Sequence, residues 1–180
     1  ISVFFPILFF LLAFVIGLSA GATVLVGQAW GAKNLEKVKM VVGSTLFMTL
    51  IGGCIIALLG VVFAKQILLL LGIDPDVMHL SLPYVQWMLA GSPLLFIYII
   101  YTSILRGVGD STTPLIASSM TILIGVIVTP ILIAGYFGFP KLGIIAPAIA
   151  TSIGYLAVLG FLVFYLNYRD HALKPDMALL

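Results

Sequence analysis

Met40–Ala64 reads MVVGSTLFMTLIGGCIIALLGVVFA, a stretch without a charged residue in which Val, Leu, Ile, Phe and Met fall on every side of a helix. At ~1.5 Å per residue such a run crosses the ~30 Å of bilayer hydrocarbon, which takes about 20 apolar residues. Four runs of the same kind surround it: Ile1–Ala32, Val77 up to Arg106, Ser111–Pro140 and Leu142–Tyr168. The spans predicted inside the five runs cover about residues 3–28, 41–64, 80–105, 114–136 and 144–166. The expected fold class is therefore all-α: a polytopic transmembrane helical bundle of about five membrane-spanning helices, with residues 1–180 forming a single membrane domain.

Lipid-facing strands would alternate, and these runs do not. Ile67-Leu68-Leu69-Leu70-Leu71 and Ile122-Leu123-Ile124 are apolar at consecutive positions, which suits a helix wet on no side. The chain is 63% hydrophobic and 8% charged, with a mean hydropathy of +1.31, whereas soluble domains carry about 25% charged residues. Eight basic and six acidic residues cannot cover the outside of a water-soluble domain of 180 residues, so lipid must cover it. The apolar N-terminus is too long for a secretory signal and has no basic segment before it. Ile1 is not an initiator Met and opens inside an apolar run, so the natural protein is expected to extend upstream. Cys54 stands alone, which rules out a disulfide framework, and is read as a small buried apolar residue. A net charge of +2 gives no reason to expect a nucleic-acid partner.

With alternating spans, Lys33, Lys37, Lys39, Arg106, Arg169 and Lys174 fall on one side and Lys65 and Lys141 on the other. The positive-inside bias makes the first set cytoplasmic, sends the first span inward and leaves the tail from Asn167 in the cytoplasm. The expected location is the plasma (cytoplasmic) membrane, crossed several times. Local chemistry marks the turns. Gly31 with Asn34 ends the first helix, Asp74-Pro75 and Thr113-Pro114 each offer a cap followed by proline, and Gly135, Gly138 and Pro140 break the chain before the fifth span. Such short turns should make successive helices antiparallel neighbours. Lys65 to Ile73 reads as an interfacial anchor extending the second span.

Small residues recur at four-residue spacing: Gly17 and Gly21, Gly27 and Gly31, Gly53 and Ala57, then Ala146, Ala150 and Gly154. In lipid, where apolar burial gives little drive, such positions let helix backbones approach closely. Pro93, Pro130 and Pro147 interrupt spans, and each removes one helix hydrogen bond, leaving a bend that transporters use for gating and binding or that is a static kink. Most Ser and Thr within the spans, among them Ser92, Thr121, Thr151 and Ser152, are read as bonding to backbone carbonyls one turn back. Gln28, Gln86, Tyr98 and Tyr101, with Thr129 and Pro130, are the candidate lining of a wet cavity. Aromatic and amide groups of that kind suit a bulky, amphipathic or cationic solute.

No Asp, Glu, Lys, Arg or His falls within a span, so no intramembrane carboxylate of the kind ion coupling needs is expected in this chain. Arg106-Gly107-Val108-Gly109-Asp110 resembles a phosphate cradle only superficially, since it follows a membrane helix and lacks the Walker lysine. It reads as a tight turn with Asp110 or Thr113 as cap and Arg106 as anchor. No paired His or Cys stands at metal-ligand spacing, no nucleophile–base arrangement supports an enzyme, and no cofactor is expected.

Two stretches carry a resemblance. Gly21-Ala22-Thr23-Val24-Leu25-Val26-Gly27-Gln28-Ala29-Trp30-Gly31-Ala32 closely resembles the second-helix signature of the multidrug and toxic compound extrusion (MATE) transporters. Leu105-Arg106-Gly107-Val108-Gly109-Asp110 with Thr113-Pro114 is similar to their loop between helices four and five. Asp74-Pro75, the Gly91-Ser92-Pro93 bend and Leu142–Thr151 match the same family's spacing. The family-motif residues are thus Gly21, Gln28, Gly31, Arg106, Gly107, Gly109, Asp110 and Pro114. The resemblance implies helices two to six of an N-terminal lobe, an incomplete six-helix lobe of a fold with two such lobes around a central cavity. It implies alternating-access export of drugs, organic cations or metabolites in exchange for Na⁺ or H⁺. The partners it implies are the bilayer, an organic-cation or drug substrate, and a first helix and C-terminal lobe that this chain does not contain. The family's acidic residue of the first helix has no counterpart here, so no coupling residue is transferred.

A lipid-linked-sugar flippase of the same superfamily is the alternative, and it would call for cationic groups along the cavity. A structural membrane subunit is a third reading, in which the polar positions only join helices. A channel ranks lower, because no ring of charges or carbonyls can be built from one chain.

Overall fold

The computed structural model describes residues 4–136 and 141–168. Each uncharged run becomes one helix, since in hydrocarbon a backbone can satisfy its hydrogen bonds only internally. The helices are α1 (Phe4–Gly31), α2 (Leu35–Leu70), α3 (Pro75–Gly107), α4 (Thr112–Ala134) and α5 (Ala146–Tyr168), with a short 3-10 turn at Gly143–Ile145. All five are long and apolar enough to cross a membrane. Large apolar side chains such as Phe10, Met48, Leu58 and Val126 are exposed on their outer faces, as lipid contact requires. Gly138, Pro140, Arg169, His171 and Lys174 lie outside the described residues.

Three of the turns share one device. After α1, α2 and α3 a residue with positive φ, respectively Lys33, Gly72 and Gly109, is followed by one whose amide reaches back to close the helix: Asn34 N to Ala29 O, Ile73 N to Leu68 O, and Asp110 N to Leu105 O. α1 ends at Gly31, as the sequence suggested, and the left-handed position of the turn falls on Lys33 (φ 55°). Asn34 both closes α1 through its amide and starts α2, its Oδ1 accepting from Lys37 N at 3.0 Å. Asp74 precedes the proline of α3 but makes no side-chain cap bond.

α2 runs for 36 residues, about 54 Å at ~1.5 Å per residue. Lys65 to Leu70 extends the second helix, as the sequence suggested. It continues α2, because Lys and Gln are good helix formers and because Ala64 and Leu68 are buried against Val85 and Leu89 of α3.

α3 is the hub of the bundle, touching each of the other four helices, most extensively α2, then α1 and α5. α4 packs chiefly on α5, so the short α3–α4 turn joins neighbours with little shared surface, contrary to the simple antiparallel expectation. One apolar cluster unites all five helices around Val26, Val42, Ile100, Leu105, Ala117 and Leu162. A second joins Val15, Ala64, Leu68, Val85, Leu89 and Phe96.

The small residues divide. A Cβ on Gly53 would lie 3.0 Å from Pro93 Cα, and one on Gly27 would lie 3.2 Å from Gly107 O. Ala146 and Ala150 are fully buried, and Gly154 lies against Thr121. Gly17, Gly21 and Gly31, by contrast, would meet nothing within 4 Å, so their spacing marks no interface among the described residues. Cys54 is exposed, not buried. Both differences share a cause: on an all-round apolar helix in lipid, the inner and outer faces carry the same residue types. Pro93 and Pro130 lie inside helices, as does Pro83, which the sequence reading passed over. Pro147 interrupts nothing. It occupies the first turn of α5, where a missing amide hydrogen is of no consequence.

Gly53 and its neighbour Gly52 give a controlled comparison, since a Cβ on Gly52 meets nothing within 4 Å. Gly53→Val is expected to lower stability by about 1–3 kcal/mol through overpacking against Pro93 and Phe96, and Gly52→Val to stay within about 0.5 kcal/mol. Thermal unfolding midpoints in detergent, taken side by side, would contradict this if the two variants shifted equally.

Candidate functional site

The two sequence motifs meet. Gly107 at the end of α3 lies against the last turns of α1, where a Cβ on it would sit 2.9 Å from Thr23 O. Thr23 Oγ1 donates to Ser19 O in its own helix at 2.7 Å and across to Ser103 O at 3.2 Å. Ser103 Oγ in turn accepts from an Arg106 guanidinium nitrogen at 3.1 Å. Glycine at 107 is thus required by backbone contact, and glycine at 27 keeps a close approach that a Cβ would crowd.

The rest of the loop has local duties. Gly109, at φ 88°, takes the left-handed position that closes α3. Asp110 starts α4: its Oδ1 accepts from the amides of Thr112 and Thr113 at 3.1 and 3.0 Å, and its Oδ2 accepts from the Thr113 hydroxyl at 2.6 Å. Of the two caps the sequence offered, Asp110 is the one used. Thr113 and Pro114 are buried inside the helix start.

A cavity of about 230 Å³ opens midway along α3, against the first half of α5. Tyr84, Met88, Gly91, Ser92 and Leu95 line it from α3, and Pro147, Ala148, Thr151, Ser152 and Tyr155 from α5. The helices come closest at Gly91, where a Cβ would lie only 2.6 Å from Ser152 Oγ. Each lining hydroxyl of Ser and Thr has committed its hydrogen: Ser92 donates to Leu89 O at 2.7 Å, Thr151 to Pro147 O at 2.8 Å and Ser152 to Ala148 O at 2.9 Å. What they offer the cavity is lone pairs. No charged side chain lines it.

The residues singled out from the sequence as cavity lining are dispersed. Gln28 is exposed near the end of α1. Gln86 Nε2 donates to Val61 O of α2 at 3.4 Å, a bond between helices. Tyr98 shares a hydrogen bond with Ser118 of α4 at 3.0 Å, and its ring lies 5.2 Å from that of Tyr155, which links it to the cavity wall. Tyr101 is buried in the central cluster, and its hydroxyl has no partner among the described residues. Thr129 is half-buried and Pro130 exposed on α4. The sequence reading did not gather Tyr84, Met88, Gly91 and Pro147 with the hydroxyls. The usable signal was the glycine of the α3 bend together with the Gly143–Pro147 opening of α5.

Comparison with known proteins is consistent along the whole chain. The sequence pattern of the MatE family matches residues 1–131. The chain belongs to the MATE family. It is 43% identical to the probable multidrug resistance protein YoeA of Bacillus subtilis, over 98% of this chain and 38% of that protein. It is 29% identical to a protein of Shewanella oneidensis named as an FAD transporter, over 97% of this chain and 38% of that one. The fold matches the inward-facing and outward-facing conformations of a multidrug resistance MATE transporter with TM-scores of 0.88 and 0.87, at 22% identity, covering 99% and 98% of this chain and 40% and 39% of those chains. The chain spans about two-fifths of the length of the curated relatives it matches.

Within this MATE chain the motifs thus build a frame, and the cavity lies apart from it. Tyr101 offers a check on the assigned packing. Tyr101→Phe deletes a buried hydroxyl without a partner and keeps the ring, so stability should hold or rise by about 1 kcal/mol. Tyr98→Phe, which breaks the bond to Ser118, should lower it by about 0.5–1.5 kcal/mol. Denaturation midpoints of the two variants would contradict the packing if their order were reversed.

Proposed function

We propose that this chain is part of the first, six-helix lobe of a secondary-active exporter of organic cations or drugs, working by alternating access in the plasma membrane and driven by Na⁺ or H⁺ entering the cell. The observation that carries the reading is the cavity between α3 and α5. It joins two tyrosine rings and a thioether to oxygen lone pairs in an uncharged wall. Ring faces attract ammonium groups, and hydroxyls whose hydrogens are already committed welcome N–H donors. At about 230 Å³ it holds part of a drug-sized solute, because such ligands occupy roughly 300–1,000 Å³. Walls from further helices of the same protein would complete the path.

Equal likeness to inward-facing and outward-facing relatives supports a segment that moves as one body. An anionic cargo, such as the flavin nucleotide in the name of the Shewanella relative or a lipid-linked pyrophosphate, would call for cations, and none is among the residues of this wall.

The test is expression of the complete protein in efflux-deficient cells with a cationic dye. Dye accumulation should fall, and should recover when an ionophore collapses the Na⁺ or the proton gradient, which also identifies the coupling ion. Tyr155→Ala should weaken export by about tenfold or less, in keeping with loss of one cation–ring contact of ~0.5–1 kcal/mol or more. Accumulation that ignores both gradients would overturn the reading.

A further inference from the structure

We propose that the end of the bundle carrying Lys33, Lys37, Lys39 and Arg106 is a binding surface for the headgroups of anionic phospholipids. The cations come from three places in the chain: the α1–α2 turn, the first turns of α2 and the last turn of α3. The α1–α3 contact gathers them. Gly107 sits against Thr23 and Gly27, Arg106 directly precedes it, and Lys33 follows Gly27 by roughly two helical turns.

Lys33, Lys37 and Arg106 are exposed and Lys39 is half-buried. None of the four is paired with a carboxylate among the described residues, and Arg106 donates to the Ser103 hydroxyl. Among the described residues, the acidic groups at this end are Asp110 and Glu36. Asp110 holds two backbone amides and the Thr113 hydroxyl at the start of α4. Glu36 lies in the first turn of α2, where the helix dipole favours it. The opposite end is balanced instead, Lys65 and Lys141 standing with Asp74 and Asp76.

The border of the patch points to lipid. Trp30, Leu35 and Met40, interleaved with the lysines, are 37%, 49% and 53% exposed. Trp is enriched at headgroup level, and a soluble acidic partner would leave all three side chains in water. A juxtamembrane group of at least four basic residues is the pattern that an anionic leaflet attracts, and attracts less at high salt.

The test uses the complete protein reconstituted in phosphatidylcholine vesicles that contain spin-labelled phosphatidylglycerol or spin-labelled phosphatidylcholine. The readout is the ratio of the two labels held at the protein. Phosphatidylglycerol should be preferred, and the preference should shrink as salt is raised. Lys33→Gln with Arg106→Gln should lower it by up to about fivefold per residue, while Lys65→Gln with Lys141→Gln should leave it unchanged. If the Arg106 variant does not fold, Lys33→Gln with Lys37→Gln carries the same comparison on two exposed side chains. An unchanged preference in the basic-end variants, an equal loss in the opposite-end variant, or displacement of the labelled lipid by inorganic phosphate beyond that caused by chloride at the same ionic strength would overturn the proposal.

Discussion

Helices in lipid gain little from burying apolar surface against one another, so the bundle depends on how closely backbones can approach. α3 makes that approach on three sides. It meets α1 where Gly107 lies on Thr23, α2 where Pro93 lies on Gly53, and α5 where Gly91 lies on Ser152. At each contact one partner lacks a Cβ. Hydrogen bonds then fix register at these seams, Thr23 to Ser103 between α1 and α3 and Gln86 to Val61 between α3 and α2.

The same constraint places the cavity. α3 is clamped at its end by α1 and along its length by α2, and α5 touches it at Gly91 with open space beside the contact. The loop motif Arg106–Asp110 spends its residues on the clamp: Gly107 permits contact, Gly109 closes α3 and Asp110 opens α4. The motif residues thus form a frame, and the polar, uncharged seam lies beside it.

Helix number and class were legible because uncharged runs of bilayer length have few other solutions in hydrocarbon. The faces were not legible. Amphipathic periodicity, which tells inside from outside in water, vanishes when both sides are apolar, and so Cys54, Gly17 and Gly21 were given the wrong surroundings. Helix ends were half legible. Asp110 could be read as a cap, while the left-handed Lys33 could not, because glycine is the usual residue there and Gly31 stood nearby. The cavity lay beyond the sequence because its walls meet only in the packed structure, and lone polar residues such as Gln86 satisfy a neighbouring helix as readily as a solute.

The central claim is that the α1 and α3 motifs form one joint. It is tested most directly by cross-linking in membranes of the complete protein, with Cys54→Ala as background and cysteines placed as Thr23→Cys with Ser103→Cys. A short bifunctional thiol reagent should join that pair rapidly, whereas Thr23→Cys with Ser118→Cys, placed on α1 and α4, should stay unjoined, because those helices do not touch. Failure of the first pair to join, or equal joining of both, would contradict the account.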